Sequence, residues 1–284
     1  MSAKVAKLFS KVFPYSRDED DIIPTLEDEV ARPEETVTTT KQEDQPHMSS
    51  KKKHHGSNIG KFHLKNVKPY TFTQEEVFKA FMSGGNLMLH GIAGTGKTFI
   101  AMYLALKEVE RYQLEYDKVI VIRSGVPSRD LGYLPGSVDE KAAVYECPYE
   151  EIACKLYERG DAYDVLKAHG KIEFMTTSFL RGITLERCIV IVDEIQNMTY
   201  GELSTIITRM GDRCRVIFCG DFRQTDLFRT KERDGLKHFL NIIDRMPEFS
   251  FHEFNATDIV RSKLVKSFII EEAEYRDTHP EFDY

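Results

Sequence analysis

A glycine-rich segment at residues 91–98 places the strongest constraint on the fold of this chain. It reads Gly91-Ile92-Ala93-Gly94-Thr95-Gly96-Lys97-Thr98 and fits the pattern G-x-x-x-x-G-K-[ST]. The apolar run at residues 86–89 precedes it and is typical of a short buried strand. Glycines let the chain bend tightly around phosphate oxygens, whose charge is stabilised by backbone N–H groups at a helix N-terminus. The pattern therefore predicts a phosphate-binding loop followed by a helix that starts at Lys97 or Thr98.

Two side chains at the end of this loop have predicted roles in nucleotide binding. Lys97 is expected to bring a positive charge to the β- and γ-phosphates, and the Thr98 hydroxyl is expected to ligate Mg²⁺. A glycine-rich turn that binds no nucleotide is the alternative. The complete pattern, placed between a strand and a helix, favours nucleotide binding.

The composition is that of a globular protein, with 41% hydrophobic and 30% charged residues in a chain of 284. No run of about 18 apolar residues occurs, so we expect no membrane span. Residues 1–13 lack the apolar centre of a secretion signal, which favours a cytoplasmic protein. Five cysteines without C-x-x-C spacing argue against a disulfide framework or a zinc site. The net charge of −7 argues against a uniformly basic nucleic-acid binder but allows a local basic channel.

The chain divides at about residue 58. Residues 1–57 are largely acidic, threonine-bearing and poor in aromatics, which predicts a disordered tail. Within it, residues 1–13 either form a short basic amphipathic helix that docks on a partner or remain unstructured. Residues 58–284 alternate strand-like and helical stretches, which predicts one α/β domain with a mostly parallel sheet flanked by helices. Strands are predicted at 87–90, 119–122, 172–175, 189–192, 216–219 and 249–254, and helices at 74–82, 98–112, 141–158, 202–210, 236–245 and 262–275.

Polar residues follow two of the predicted strands. Asp193 and Glu194 come directly after four β-branched residues, a pattern that resembles a Walker B motif. Asp193 can hold Mg²⁺ through its water shell, and Glu194 can orient or deprotonate an attacking water; capping of the next helix is the alternative. Gln224 follows the strand at 216–219 through a turn and is the candidate sensor of the γ-phosphate. A simple turn of Gly220 and Asp221 is the alternative there.

Gln74 and Arg261 are two further candidates for the nucleotide site. The Gln74 carboxamide can read an adenine edge with one donor and one acceptor. Beside it, Thr73 is a candidate helix N-cap, with Glu76 completing a capping box. Arg261 comes just before the last predicted helix and can stabilise the transferring phosphoryl group, either within its own chain or from a neighbouring subunit.

A glycine- and proline-rich stretch at residues 123–136 is too long for a minimal connection between strands. Arg123, Arg129 and Tyr133 can contact the phosphates and bases of a nucleic acid. A structural cover over the sheet is the equal alternative.

Together these motifs resemble the PhoH family, the phosphate-starvation-inducible P-loop ATPases of bacteria and their phages. The resemblance covers roughly residues 70–275 and also rests on Leu131-Gly132-Tyr133-Leu134-Pro135-Gly136, Phe179-Leu180-Arg181-Gly182-Ile183-Thr184-Leu185 and Thr208-Arg209-Met210-Gly211. It implies a RecA-like P-loop NTPase core close to superfamily 1 helicases, Mg²⁺-dependent ATP hydrolysis, association with RNA or single-stranded nucleic acid, and a homo-oligomer, often a hexameric ring. By the same resemblance, the catalytic group comprises Lys97, Asp193, Glu194, Gln224 and Arg261.

The sequence departs from the family pattern at two positions. Ile183 stands where the family usually has arginine, and Ile195 where a small residue usually follows the acidic pair. If that arginine contacts nucleic acid or a neighbouring subunit, its absence affects coupling and leaves hydrolysis possible. The tail is too short for the PIN-type ribonuclease domain of some relatives, so we predict no nuclease activity.

The sequence leaves two other functions open. One is a small-molecule P-loop kinase, which the Asp193-Glu194 pair disfavours because it favours water as the acceptor. The other is a nucleotide-dependent binding protein with slow turnover.

Overall fold

The centre of the molecule is a parallel sheet. The computed structural model describes residues 62–111, 115–124, 138–222 and 230–279. Within these ranges six strands pair in the order β3-β2-β4-β5-β1-β6, and every pairing is parallel. The strands are β1 Asn86–Gly91, β2 Lys118–Arg123, β3 Ile172–Thr176, β4 Cys188–Val192, β5 Cys214–Gly220 and β6 Phe249–Phe254. The predicted α/β class with a parallel sheet is thereby confirmed.

The sheet separates two apolar cores because alternate side chains of each strand point to opposite faces. In β1, Leu87 and Leu89 join one core while Met88 joins the other. All five residues of β4 are buried in the same alternating way. A strand covered on both faces needs apolar residues at every position, which explains the continuous apolar runs in the sequence.

Seven helices flank the sheet in the described part of the chain. They are α1 Phe72–Met82, α2 Lys97–Arg111, α3 Val138–Tyr157, α4 Ala162–Ala168, α5 Tyr200–Thr208, α6 Thr230–Ile243 and α7 Lys263–Thr278. Each predicted helix is found, and α4 is additional, since its seven residues give too short a periodic pattern to predict. Among the described helices, none combines the length and apolar character needed to cross a membrane.

The start of α1 differs from the prediction. Thr71, not Thr73, is the N-cap, and its Oγ1 accepts a hydrogen bond from the Gln74 backbone N–H at 3.3 Å. The Thr73 hydroxyl instead donates to Asp258 Oδ2 at 3.0 Å. The Thr73 side chain, which the sequence predicts as the cap, is therefore used in a tertiary contact between α1 and the segment after β6.

The sheet order brings the predicted site residues together. In a parallel sheet all strands end at one edge, so the segments after β1, β4 and β5 meet there. Because β5 lies between β1 and β4, Asp221 emerges between the glycine-rich loop and the acidic pair. Gln224, Arg129, Tyr133 and residues 1–57 lie outside the described residues.

At the opposite edge of the sheet, where the strands begin, Arg215 links the start of β5 to α1 and α2. Its guanidinium donates to the carbonyls of Phe81 at 2.6 Å and Gly85 at 3.0 Å, and Glu108 lies 3.5 Å away. It also stacks 3.9 Å from the centre of the Phe81 ring.

Arg215→Met should therefore lower the free energy of unfolding by about 3 kcal/mol in urea titrations, because it leaves buried acceptors unpaired. Arg245→Met, at an exposed position, should stay within about 0.5 kcal/mol of wild type; equal losses in both variants would contradict this role.

Candidate active site

The glycine-rich loop runs from the end of β1 to the start of α2, as the sequence predicts. Gly91, Gly94 and Gly96 have φ angles of 120°, 75° and 82°, a region that L side chains rarely adopt. At Gly91 the need for glycine is also steric, because a Cβ there would lie 2.0 Å from the Phe254 carbonyl oxygen. This backbone geometry therefore leaves no room for a side chain at the first position of the loop.

The segment between β6 and α7 packs on this loop. The Val260 N–H donates to the Gly94 carbonyl at 3.1 Å, and the Ile92 N–H donates to the Phe254 carbonyl at 3.1 Å. Arg261 lies against the loop, since a Cβ on Gly94 would be 3.1 Å from Arg261 Cγ and 3.4 Å from Nε. The Arg261 side chain therefore lies beside the loop of its own chain. Its role at the transferring phosphoryl group, in this chain or at a neighbouring subunit, stays a prediction.

Lys97 begins α2 and turns its ammonium back into the loop. Nζ donates to the carbonyls of Gly91 at 2.7 Å and Ile92 at 2.9 Å. Burial lowers the pKa of Lys97, while the negative charge of Asp221 and of the acidic pair opposes that shift. An anion placed in the loop would add to this opposing effect and favour the charged lysine.

The loop is joined to the acidic pair by the hydroxyl of Thr98. Oγ1 donates to Asp193 Oδ1 at 3.0 Å, across 95 residues of sequence. The second carboxylate oxygen, Oδ2, accepts from the Tyr149 hydroxyl of α3 at 3.0 Å. Hydroxyl and carboxylate oxygens are ligands that suit Mg²⁺, so Thr98 and Asp193 at the end of the glycine-rich loop fit this metal.

Burial has a large effect on Asp193. It raises the pKa of this carboxyl to about 6, and repulsion from Glu194 adds to the shift. The hydrogen bonds from Thr98 and Tyr149 and the charge of Arg123 act in the opposite direction. A divalent cation beside Asp193 would favour the ionised form strongly, so the environment suits a carboxylate that is charged when metal is bound.

Glu194 is held by a side chain that the sequence analysis did not single out. Its φ of 55° and ψ of 44° are left-handed, which costs about 1 kcal/mol for a residue with a Cβ. The Gln196 amide donates to Glu194 Oε2, while its carbonyl oxygen accepts from the Asp221 N–H at 3.0 Å. Gln196 therefore links the acidic pair to the end of β5.

Gln74 contacts the loop through its side chain. Its Nε2 donates to the Thr95 carbonyl at 3.3 Å, and its Oε1 accepts from the Tyr70 N–H at 2.8 Å. Each end of a carboxamide can make a second hydrogen bond, so these contacts leave one donor and one acceptor available for a base edge. The adenine-reading role of Gln74 stays a prediction.

This chain is similar to known proteins over the part that carries these motifs. The sequence profile described as PhoH-like protein matches residues 66–272. This chain belongs to the PhoH-like protein family. The PhoH-like protein of Synechocystis sp. is 33% identical over 215 residues, which cover 75% of this chain and 64% of that protein. Protein PhoH of Escherichia coli K12 is 33% identical over 193 residues, covering 67% of this chain and 54% of the relative.

The PhoH-like chain thus spans less than two thirds of the length of these relatives. Among solved structures, it is similar to the Pif1 helicase from Candida albicans, with 17% identity, a TM-score of 0.32, and coverage of 66% of this chain and 40% of that one. It is also similar to the Sulfolobus solfataricus SWI2/SNF2 ATPase core in complex with dsDNA, with 14% identity, a TM-score of 0.40, and coverage of 69% and 47%. Both likenesses are distant and carry no argument. The profile match and the relatives confirm the family expected from the motifs, and the parallel sheet with the glycine-rich loop between β1 and α2 confirms the P-loop NTPase core.

In this PhoH-like site the structure brings together Lys97, Thr98, Asp193 and Glu194, with Gln74 and Arg261 at the loop. Sequence reasoning missed Tyr149 and Gln196. Gln196 has a local signal, because it comes two residues after Glu194; Tyr149 has none, since a helical tyrosine usually packs in the core. Among the described residues, no group of three or more His, Cys, Asp or Glu side chains could hold a metal ion.

The clash at Gly91 gives a test of the loop geometry. Gly91→Ala should lower the free energy of unfolding by about 1–3 kcal/mol more than Gly84→Ala, because only the former forces backbone apart. Gly84 is the matched control, with a φ of 89° but no atom within 4 Å of its Cβ position. Urea unfolding of the two variants measures the difference, and equal losses would show that positive φ alone requires glycine at Gly91.

Proposed function

We propose that this PhoH-like chain is an Mg²⁺-dependent ATPase. The observation that carries the proposal is the 3.0 Å hydrogen bond from Thr98 to Asp193, which joins the phosphate-binding loop to the acidic pair. Family membership supports the same class of reaction. Because the chain covers only part of its relatives, the activity of the whole protein is itself part of the proposal.

Each element of the site has a role in this proposal. The loop from Gly91 to Gly96, including Ile92, Ala93, Gly94 and Thr95, binds the phosphates through backbone N–H groups, and Lys97 adds its charge. Thr98 and Asp193 hold Mg²⁺, which when bound neutralises negative charge on the phosphate oxygens. Glu194 orients the attacking water and accepts its proton.

Three further residues complete the proposed site. Gln74 reads the adenine edge, and Arg261 stabilises the transferring phosphoryl group from within the same chain, which its contact with Gly94 supports. Gln224 is the proposed γ-phosphate sensor and lies outside the described residues. The position of β5 between β1 and β4 supports this role, because the segment that leads to Gln224 starts between the two motifs.

A nucleotide-gated binding protein with slow turnover is the second candidate. One observation favours it: Gln196 donates a hydrogen bond to the Glu194 carboxylate. That hydrogen bond occupies Oε2, one of the two carboxylate oxygens that a general base would offer to the attacking water. Turnover measurements separate the two candidates.

ATP hydrolysis is tested by phosphate release with Mg²⁺ and no added acceptor, which also separates an ATPase from a kinase. Lys97→Ala should lose nucleotide binding and turnover together. Glu194→Gln should still bind nucleotide but turn over at least about a hundredfold more slowly, the usual contribution of a general base. Glu248→Gln, at an exposed position, should match wild type. Equal phosphate release from all four proteins would refute the ATPase, and tight binding with almost no release by wild type would favour the binding protein.

We further propose that turnover is coupled to RNA or single-stranded nucleic acid. The turn after β3 supports this, because Phe179 is 52% exposed and Arg181 is exposed beside it, at the sheet edge that carries the nucleotide site. An exposed ring next to a cation suits the stacking of unpaired bases. Ile183 makes this surface more apolar than in the family pattern. A homo-oligomer, a hexameric ring by family resemblance, and a cytoplasmic location stay predictions.

Coupling is tested by ATP turnover with RNA, single-stranded DNA and duplex DNA. A single-stranded polymer should stimulate turnover more than duplex, and Phe179→Ala should raise the polymer concentration for half-maximal stimulation about tenfold, since one stacked base contributes about 1–3 kcal/mol. Basal turnover should not change. Tyr275→Ala, which removes another exposed aromatic, is the control. The absence of stimulation by every polymer would contradict coupling and leave hydrolysis intact.

A further inference from the structure

The Asp193 carboxylate receives hydrogen bonds from two unrelated parts of the fold. Thr98 of the phosphate-binding loop donates to Oδ1 at 3.0 Å. Tyr149 of α3 donates to Oδ2 at 3.0 Å and belongs to none of the nucleotide-binding motifs. The two oxygens of one carboxylate are therefore distinguished by their partners, one at the proposed metal site and the other in the core.

The position of the Tyr149 hydroxyl is fixed by its surroundings. The side chain is 0% exposed, and its ring lies 5.7 Å from that of Phe174 on β3. One turn earlier on α3, the Tyr145 ring contacts the guanidinium of Arg123 at 5.3 Å, at the end of β2. Ring contacts at Tyr145 and Tyr149 thus hold this part of α3, and with it the Tyr149 hydroxyl, beside Asp193.

We propose that Tyr149 is a positioning residue for Mg²⁺, which holds the Asp193 carboxylate so that Oδ1 stays directed to Thr98. The inference rests on the proposed function, since it names a residue that prepares the same metal site. Hydrogen-bond partners of metal-binding carboxylates orient them, and removal of such a partner typically weakens metal binding by about 10–100-fold. A tyrosine that served only the core would affect stability and leave metal affinity unchanged.

Tyr149→Phe keeps the ring and deletes only the hydroxyl. In the full-length protein, binding of a fluorescent, non-hydrolysable ATP analogue is followed by anisotropy, first in EDTA and then across a Mg²⁺ titration. We expect equal binding to wild type in EDTA and an increase of about tenfold or more in the Mg²⁺ concentration at half-maximal effect.

Tyr163→Phe is the matched control. Tyr163 is also buried and donates to a carboxylate, Glu146 Oε1, at 2.7 Å, but this hydrogen bond joins α4 to α3 and does not involve Asp193. The Tyr163→Phe variant should leave the Mg²⁺ titration unchanged. In an Asp193→Asn background, Tyr149→Phe should add no further shift, because the residue acts through that carboxylate.

Several results would overturn the inference. A Tyr149→Phe protein with the wild-type Mg²⁺ midpoint, whether or not its melting temperature falls, would assign Tyr149 to the core alone. A shift that persists in the Asp193→Asn background would show that Tyr149 acts by another route. If wild type binds the analogue without any effect of Mg²⁺, the proposed function fails as well, whereas a normal wild-type titration with no effect of Tyr149→Phe overturns only this inference.

Discussion

The hydrogen bond from Thr98 to Asp193 joins two segments that the sheet keeps on separate strands. Met88 of β1 and Val192 of β4 both pair with Phe218 of β5, so the three residues lie in one row. Neighbouring strands are about 4.8 Å apart, which puts β1 and β4 about 10 Å apart. The glycine-rich loop leads from β1 to the start of α2, where the Thr98 hydroxyl reaches Asp193 across that gap. Sheet order, loop geometry and the threonine–aspartate contact therefore form one structural unit.

The charges gathered by this unit would favour a nucleotide that brings its own divalent cation. Lys97 interacts with the negative charge of Asp221, Asp193 and Glu194 in a buried setting. Burial raises the pKa of Asp193 to about 6, and a cation beside this carboxyl would favour its ionised form. A triphosphate alone would add negative charge to a site that already has an excess. A nucleotide that carries its own divalent cation would restore the balance.

Local sequence patterns were sufficient to predict the six strands, the loop and the acidic pair, because each depends on consecutive residues. The contacts that complete the site depend instead on tertiary packing. Tyr149 lies 44 residues from Asp193, and only the docking of α3 brings them together. Thr73 follows the capping rule locally, but Asp258 competes successfully for its hydroxyl. For Arg261, pairing of β6 with β1 takes the residues after β6 past the loop and places its side chain there; its action within its own chain stays a prediction.

Gln196 contacts both Glu194, the proposed base, and the start of the segment that leads to the proposed γ-phosphate sensor. Its amide donates to Glu194, and its carbonyl oxygen accepts from the backbone of Asp221 at the end of β5. The proposed γ-phosphate sensor, Gln224, follows on the same segment three residues later. In this arrangement a displacement of the Asp221 backbone would move the Gln196 carbonyl oxygen, and with it the side chain that donates to Glu194. Contact with the γ-phosphate and the orientation of the proposed base Glu194 would then be linked through one buried side chain, that of Gln196.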